Sequence, residues 1–194
     1  MKMIINPDLS LNEIKESLRA ALKEASEDSR HGLRFFSVAT VNARNNTPES
    51  RMVVLRDFLP DWTLRFYTDF RSSKVAQIQN HPAISLLFWN MNERYQVRIE
   101  AESTIHYKDN ISKSEWENVT GEAQKAYTSV LPPGKIISHP EEAGDRITQK
   151  NYFCVIDAKA TRIKILQLKS TEQWAVKFLR DSDTDEWIGH WIVP

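Results

Sequence analysis

The sequence predicts an α+β fold in which many antiparallel strands form a small barrel that carries a few peripheral helices. Runs rich in β-branched and aromatic residues recur through residues 34–107 and 151–194, separated by turn-forming segments. One helical pattern precedes these runs and another lies between the two regions. The chain shows no internal repeat and no low-complexity linker, so we expect one domain over residues 1–194.

The first predicted element is an amphipathic helix over about residues 10–27. Ser10 followed by Glu13 is a capping-box pattern, in which each side chain bonds to the backbone N–H of the other residue. Apolar residues then recur at helical spacing, at Leu11, Ile14, Leu18, Leu22 and Ala25.

Three strands and a short helix are predicted next. The strands are expected at residues 34–41, 50–58 and 62–70, with turn-forming residues between them, and we expect them to form a meander. The helix is expected within residues 71–80, capped by Ser72 or Ser73, with Val75 and Ile78 facing inward.

The second half of the chain repeats this alternation of strands and a helix. Strands are predicted at residues 83–89 and 93–107, the second long enough to bend across two sheets of a barrel. A helix is expected over residues 110–130, with Ser112 and Glu115 as a second capping box. After a polar, turn-rich stretch to about Lys150, three closing strands are predicted at residues 151–168, 173–180 and 186–194.

Charge and cysteine content exclude several classes of protein. The chain has 26 Lys and Arg and 26 Asp and Glu, so its formal net charge is zero, which argues against a dedicated nucleic-acid-binding protein. The single cysteine excludes an internal disulfide and favours a reducing compartment, so we expect a cytoplasmic protein. The N-terminal residues contain no apolar run that would predict a signal peptide or a membrane span.

The usual sequence motifs of metal and nucleophile sites are missing. The five histidines are scattered, without carboxylate or histidine partners at metal-ligand spacing, so no metal site is predicted. The chain has no GxSxG, P-loop or GxGxxG motif, and only 5 glycines. Cys154 lies in an apolar strand, which is typical of a buried structural thiol rather than a nucleophile.

The stretch from Arg51 to Lys74 is the most informative. It contains five cations against three aspartates, at Arg51, Arg56, Arg65, Arg71 and Lys74 against Asp57, Asp61 and Asp69. Arg51 is expected to begin a strand and Thr68 to end the next one. Ser72, Ser73 and Lys74 stand where a helix begins, and its free N–H groups can face an anion. This set could hold one phosphate; the alternative, which the local pattern alone favours, is that Ser72 caps a helix and the cations are solvated.

The order of these segments resembles the FMN-binding split barrels related to pyridoxamine 5′-phosphate oxidase. The resemblance covers residues 35 to about 101 and consists of several linked motifs in the family's order: ATV, TPESRMVVLR, LRFYTDFRSSKVAQIQNHPAISLLF and ERYQVRIEA. It implies an antiparallel split barrel and a homodimer with FMN in a groove between the subunits.

The resemblance also implies roles for individual residues. Arg51 and Lys74 would pair with the FMN phosphate, Thr68 and Ser73 would donate hydrogen bonds to it, and Ser72 would stand at the same helix start. The strand residues Met52, Val53, Val54 and Leu55 would run beneath the flavin ring and ribityl chain, flanked by Tyr67. Gln96 would hydrogen-bond the polar edge of the ring from the partner subunit or a neighbouring strand, and Lys177 would approach FMN across the interface.

The residues with which pyridoxamine 5′-phosphate oxidases bind their substrate are not matched. The Arg-led strand ends in Arg56 where the family has Lys, and the family's later Tyr is shifted or replaced by Ala126. An Arg is missing near Val130, and Gln173 and Ala175 stand where an Arg-x-His signature is expected. The sequence therefore indicates the branch of the family that binds FMN without an assigned reaction, and no catalytic acid or base is identified.

Three hypotheses about function follow. The leading one is an FMN-dependent oxidoreductase that acts on an unassigned small molecule, with FMN supplying the redox chemistry. The alternative is a non-enzymatic protein that binds, carries or senses flavin. A third hypothesis, an oligonucleotide-binding barrel that stacks bases on its aromatic residues, is disfavoured by the neutral charge.

Overall fold

The computed structural model describes residues 4–143, 150–168 and 172–194, and within them the chain forms four α-helices and nine strands. The elements are α1 Leu11–Glu27, β1 Phe35–Asn42, β2 Thr47–Val54, β3 Asp57–Phe58, β4 Thr63–Asp69, α2 Ser73–Asn80, β5 Ala83–Asn90, β6 Tyr95–His106, α3 Asn110–Glu117, α4 Lys125–Thr128, β7 Phe153–Leu168, β8 Gln173–Arg180 and β9 Trp187–Ile192. The polar stretch predicted before Lys150 lies partly outside these residues, at 144–149. The predicted α+β class with an antiparallel sheet is confirmed.

Helix α1 begins as predicted. The backbone N–H of Ser10 donates to the Glu13 carboxylate at 2.8 Å, and the N–H of Glu13 donates to the Ser10 hydroxyl at 3.3 Å, which completes the capping box. One face of the helix is fully buried against the sheet, at Ile14, Leu18, Leu22 and Ala25. The sheet and this helix share one core.

Strand β7 is the centre of the sheet. It is 16 residues long and pairs with β6 along one side, while β4 and β8 pair in succession with its other side. The strand order is β2-β1-β5-β6-β7-β4-β3, with β8 also on β7 and β9 on β8. All of these pairings are antiparallel. The register between β6 and β7 shifts at Glu100 and Ala101, where the long β6 strand has a bulge or irregularity.

The predicted meander of the first three strands is wrong. β1 and β2 form a hairpin, but the strand at Thr63–Asp69 pairs with β7 and with the two-residue strand β3 instead of with β2. The second neighbour of β1 is β5. The reason is burial: six of the seven β4 residues are buried, which requires a partner strand and packing on both faces.

The helix predicted over residues 110–130 is also partly wrong. α3 ends at Glu117, and a 3-10 turn at Gly121–Gln124 and the short α4 follow it. Its cap is Asp109, whose carboxylate accepts the N–H of Ser112 at 2.8 Å, so Ser112 is the third helical residue rather than the cap. Glu115 instead bonds to Arg65 and Tyr67. At α2, Ser72 is the N-cap residue, but its hydroxyl makes no capping hydrogen bond.

The two faces of β1, β2, β5 and β6 differ in burial. Inward residues such as Phe36, Phe88 and Val97 are fully buried, and Phe36 stacks on Phe88 with ring centroids 4.6 Å apart. The outward face carries four exposed large apolar side chains, Phe35, Met52, Leu87 and Trp89, which we call the apolar face. No helix among the described residues is long and apolar enough to cross a membrane. The cytoplasmic location stays a prediction.

Candidate functional site

A cluster of polar side chains lies where the end of β4 meets the start of α2. The Lys74 ammonium donates to the hydroxyl of Thr68 at 2.9 Å and to that of Ser72 at 3.3 Å, and the two hydroxyls are 3.1 Å apart. Thr68 and Ser72 are buried. Within the described part of the chain, no carboxylate lies at ion-pair distance from Lys74.

Arg51 reaches this cluster from β2. The sequence predicted Arg51 at the start of a strand, but it lies in the middle of β2. Its guanidinium donates to the Thr40 hydroxyl, to the Gln77 side-chain oxygen at 3.1 Å and to the Glu49 carboxylate at 3.2 Å. Thr40 and Gln77 were missed by sequence reasoning, although Gln77 lies one helical turn after Lys74, on the same side of α2.

The electrostatics of the cluster favour an anion. Burial lowers the pKa of Lys74, and the nearby positive charge of Arg51 lowers it further. Burial also lowers the pKa of Arg51, while Glu49 partly opposes this effect. Each cation is therefore less stable as a charged group here than in water, and a bound anion would reverse that. Two cations, two hydroxyls and the first N–H groups of α2 fit the chemistry of a phosphomonoester.

Ser73 lies at the rim of this cluster. Its side chain is exposed, and it is the first residue of α2. The structure thus brings together Arg51, Thr68, Ser72 and Lys74, with Ser73 beside them.

Two of the five local cations, Arg65 and Arg71, have acidic partners, and Arg71 pairs with Asp69 at 2.7 Å. Arg65 is buried and holds both oxygens of Asp157 at 2.8 Å, and it also bonds to Glu115. The Tyr67 hydroxyl donates to the other oxygen of Glu115 at 2.6 Å. The hydrogen bond to Asp157 raises the pKa of Arg65, and burial raises that of Tyr67. We call Tyr67, Glu115, Arg65 and Asp157 the buried ionic network; the sequence did not predict it.

The strand residues predicted to lie beneath a flavin alternate in exposure. Val53 and Leu55 are buried in the core, whereas Met52 is 63% exposed and Val54 is intermediate. Only Met52 and Val54 can therefore present side chains to a ligand on the outward face.

Gln96 and Lys177 lie on the outward face of the sheet, with partly exposed side chains. Strand register places Met52, Ser37, Leu87, Arg98, Lys164 and Lys177 in one row across β2, β1, β5, β6, β7 and β8. Five strand spacings of about 4.8 Å separate Met52 from Lys177, roughly 24 Å along the sheet.

A cavity of about 150 Å³ lies beside the end of β2 and includes Arg56, Tyr67 and Tyr127. The Arg56 guanidinium lies 5.3 Å from the centre of the Tyr67 ring, and its charge acts on the Tyr127 phenol. Burial raises the pKa of Tyr127, and Arg56 opposes this shift. The sequence comparison placed Ala126 at the family's tyrosine position; the structure shows the next residue, Tyr127, in the cavity.

Cys154 is fully buried, and burial raises the pKa of its thiol to about 12. This confirms the expected structural thiol, because a thiolate nucleophile needs a lowered pKa and access to solvent. Among the residues that the structure describes, no group of three or more His, Cys, Asp or Glu side chains is placed to hold a metal ion.

Comparisons with known proteins agree with the motifs in the first half of the chain. Residues 13–107 match the family described as pyridoxamine 5′-phosphate oxidase, FMN-binding domain. The pyridoxine/pyridoxamine 5′-phosphate oxidase of Caulobacter vibrioides is 38% identical over 78 residues, which are 40% of this chain and 34% of that protein. The oxidase of Serratia proteamaculans is 40% identical over 88 residues, 45% of this chain and 39% of that protein. The chain thus matches little more than a third of the length of these relatives.

Solved structures match nearly the whole chain. A pyridoxamine 5′-phosphate oxidase-related, FMN-binding protein from Nostoc punctiforme superimposes with a TM-score of 0.77 and 27% identity, covering 96% of this chain and 100% of that one. PhzG from Burkholderia lata, solved with tetrahydrophenazine-1-carboxylic acid, has a TM-score of 0.74 and 13% identity over 98% of each chain, which shows a shared fold. The predicted split-barrel fold and the resemblance to this family are confirmed.

Proposed function

We propose that this protein is an FMN-dependent oxidoreductase that acts on a small anionic substrate, because residues 13–107 match the family described as pyridoxamine 5′-phosphate oxidase, FMN-binding domain. The observation that carries the proposal is the pair of half-buried cations, Arg51 and Lys74, at the start of α2. Their charges act on each other, and the hydrogen bonds of Lys74 to described residues go to the hydroxyls of Thr68 and Ser72. When bound, FMN would supply the hydride or electron transfer.

The protein's own part would be to bind and orient. Arg51 and Lys74 would neutralise the phosphate, Thr68 and Ser72 would donate hydrogen bonds to it, and Ser73 would lie at its exposed side. Gln77 and Thr40 would hold the Arg51 guanidinium in place. Met52 and Val54 would contact the flavin from the outward face of β2.

Substrate would bind in the cavity with Arg56 and Tyr127. Arg56 forms no ion pair within the described residues, so its charge is available to an anionic group. The pyridoxamine 5′-phosphate oxidases use several more substrate residues, which this chain lacks. One guanidinium and one phenol suit a singly charged group better than a phosphate dianion in a partly dry pocket.

We also propose that the functional unit is a homodimer with FMN at the subunit interface. The apolar face would be covered by the second copy, because Phe35, Met52, Leu87 and Trp89 together expose a large apolar surface. Lys177 and Gln96 lie on β8 and β6 of the same outward face, and we propose that they reach the flavin from the partner.

The replacement Leu87→Arg should separate the subunits. It places a charge at the centre of the apolar face, where association would bury it without a partner. Light scattering should show the mass fall from twice 22.5 kDa to 22.5 kDa, and FMN binding should weaken with it. Ile136→Arg is the control, because Ile136 is 91% exposed in a loop. A dimeric Leu87→Arg variant or a monomeric parent would contradict the proposed interface.

The function itself is tested by flavin binding and turnover. The purified protein should take up FMN at micromolar concentration and show flavin absorbance bands. Anaerobic reduction by NAD(P)H or another donor, followed by addition of an acceptor, should give repeated cycles; a flavin carrier would give none. Failure to bind FMN would refute the proposal. Rapid peroxide formation from pyridoxamine 5′-phosphate would show that the unmatched substrate residues are not needed.

A further inference from the structure

Arg71 and Asp69 form a tight ion pair inside the turn that leads from β4 to α2. The Arg71 guanidinium donates to the two Asp69 oxygens at 2.7 and 3.0 Å, and the backbone N–H of Arg71 adds a third bond at 2.8 Å. The Asp69 side chain is 3% exposed and that of Arg71 is 17% exposed. A carboxylate this buried needs its partner, because an uncompensated charge is strongly unfavourable there.

Asp69 belongs to the same turn as the cation cluster. It follows Thr68 directly, and its backbone oxygen accepts the N–H of Ser72 at 3.0 Å. Its negative charge acts on Lys74 and raises the pKa of that residue, against the effects of burial and Arg51. Without Arg71, Asp69 would be an unpaired buried anion whose charge acts on Lys74 beside the proposed phosphate position. It would then compete for Lys74 and repel a phosphate.

Arg71 also fixes the segment after α4. Its guanidinium donates to the carbonyl oxygen of Ser129 at 3.0 Å and to that of Val130 at 3.2 Å, and it lies 3.5 Å from the centre of the Tyr152 ring. The N–H of Tyr152 in turn donates to the carbonyl of Tyr127 at 2.9 Å. The turn that holds Lys74 and the segment that carries Tyr127 are thus joined through one side chain.

We propose that Arg71 is a positioning residue that sets the preference of this site for a phosphorylated flavin, by neutralising Asp69 so that Lys74 stays available to the phosphate. This inference rests on the proposed function. Arg71 itself does not contact the phosphate; it acts through Asp69 and Lys74. The effect of replacing Arg71 on flavin binding should therefore depend on whether the flavin carries a phosphate and on whether residue 69 is charged. A purely structural role would show neither dependence.

The test compares FMN with riboflavin, which lacks the phosphate, by fluorescence titration of the dimeric protein. Arg71→Ala should weaken FMN binding about 10- to 100-fold and riboflavin binding less than about threefold. The double variant Arg71→Ala with Asp69→Asn should recover FMN binding to within about threefold of the parent, because the unpaired charge is gone. Arg71→Lys, which keeps the charge, should retain most of the preference.

The outcomes distinguish a failure of the proposed role of Arg71 from a failure of the proposed FMN site. Equal losses for FMN and riboflavin in Arg71→Ala, or no recovery in the double variant, would overturn the role of Arg71 while leaving FMN binding by the parent intact. A parent that binds FMN no better than riboflavin would refute the phosphate site itself. If Arg71→Ala does not fold, as judged by circular dichroism, the parent, Arg71→Lys and the double variant still provide the comparison.

Discussion

Lys74→Ala should weaken FMN binding by roughly 30-fold or more. The ammonium is half-buried, contacts two buried hydroxyls and has no carboxylate partner among the described residues, so its charge would be balanced by the phosphate. Truncating one partner of a desolvated, hydrogen-bonded charge pair costs about 2–5 kcal/mol, and each 1.4 kcal/mol is about tenfold in affinity. Quenching of flavin fluorescence on binding measures the change directly.

The matched control is Lys113→Ala. Lys113 is an exposed lysine on α3, and its removal should change the FMN affinity less than about twofold, since an exposed charge is screened by water and salt. Riboflavin binding should be nearly unchanged in Lys74→Ala. Equal losses from the two lysines, or an equal loss for riboflavin, would place the phosphate elsewhere. Arg51→Ala should also weaken FMN binding, because it removes the second cation together with its bonds to Thr40 and Gln77.

Asp157→Ala should lower the free energy of unfolding by about 3–5 kcal/mol. Asp157 receives two hydrogen bonds from Arg65 at 2.8 Å, and Nε2 of His106 lies 3.4 Å from it. Its removal leaves the buried Arg65 charge with only Glu115, which is shared with Tyr67. Breaking a buried pair by deleting one member has that magnitude, because the remaining charge stays desolvated. Urea unfolding followed by circular dichroism gives the value.

Glu100→Ala provides the comparison for this stability change. Glu100 pairs with Arg162 at 2.9 Å on the sheet surface, where both side chains are about half exposed. Such a pair contributes about 0–1 kcal/mol. Equal losses of unfolding free energy in Asp157→Ala and Glu100→Ala would show that the buried ionic network stabilises the protein no more than an exposed ion pair does.

The elements with strong local signals were predictable. The capping box at Ser10 and Glu13 formed because its residues are three apart and need no distant partner. At α3 the local signal was ambiguous, since Asp109 with Ser112 and Ser112 with Glu115 both have the spacing of a cap. The choice is decided by tertiary contacts: Glu115 is bonded to Arg65 and Tyr67 and cannot also close a capping box.

Strand pairing and the buried ionic network were not predictable from local sequence. β4 pairs with β7, and the Arg65–Asp157 contact joins residues 92 positions apart. Arg65 therefore looked like a free cation next to Arg51 and Lys74, although Asp157 and Glu115 neutralise it. The partner of Arg71 is Asp69, two residues away, and their pairing depends on the turn between β4 and α2. The cation cluster was found because Thr68, Ser72 and Lys74 are neighbours in sequence. Thr40 and Gln77 reach it only through the fold.

The central position of β7 determines when the barrel can be completed as the chain is synthesised. β4 and β6 both need β7 as a partner, and β8 and β9 attach to the sheet only through it. Until residues 153–168 have left the ribosome, the hairpin of β1 and β2 and the pair of β5 and β6 can form, while β4 keeps an unpaired edge. Such contacts between distant segments slow folding and leave exposed strand edges for other chains. The last third of the chain thus controls whether the first two thirds reach their final structure.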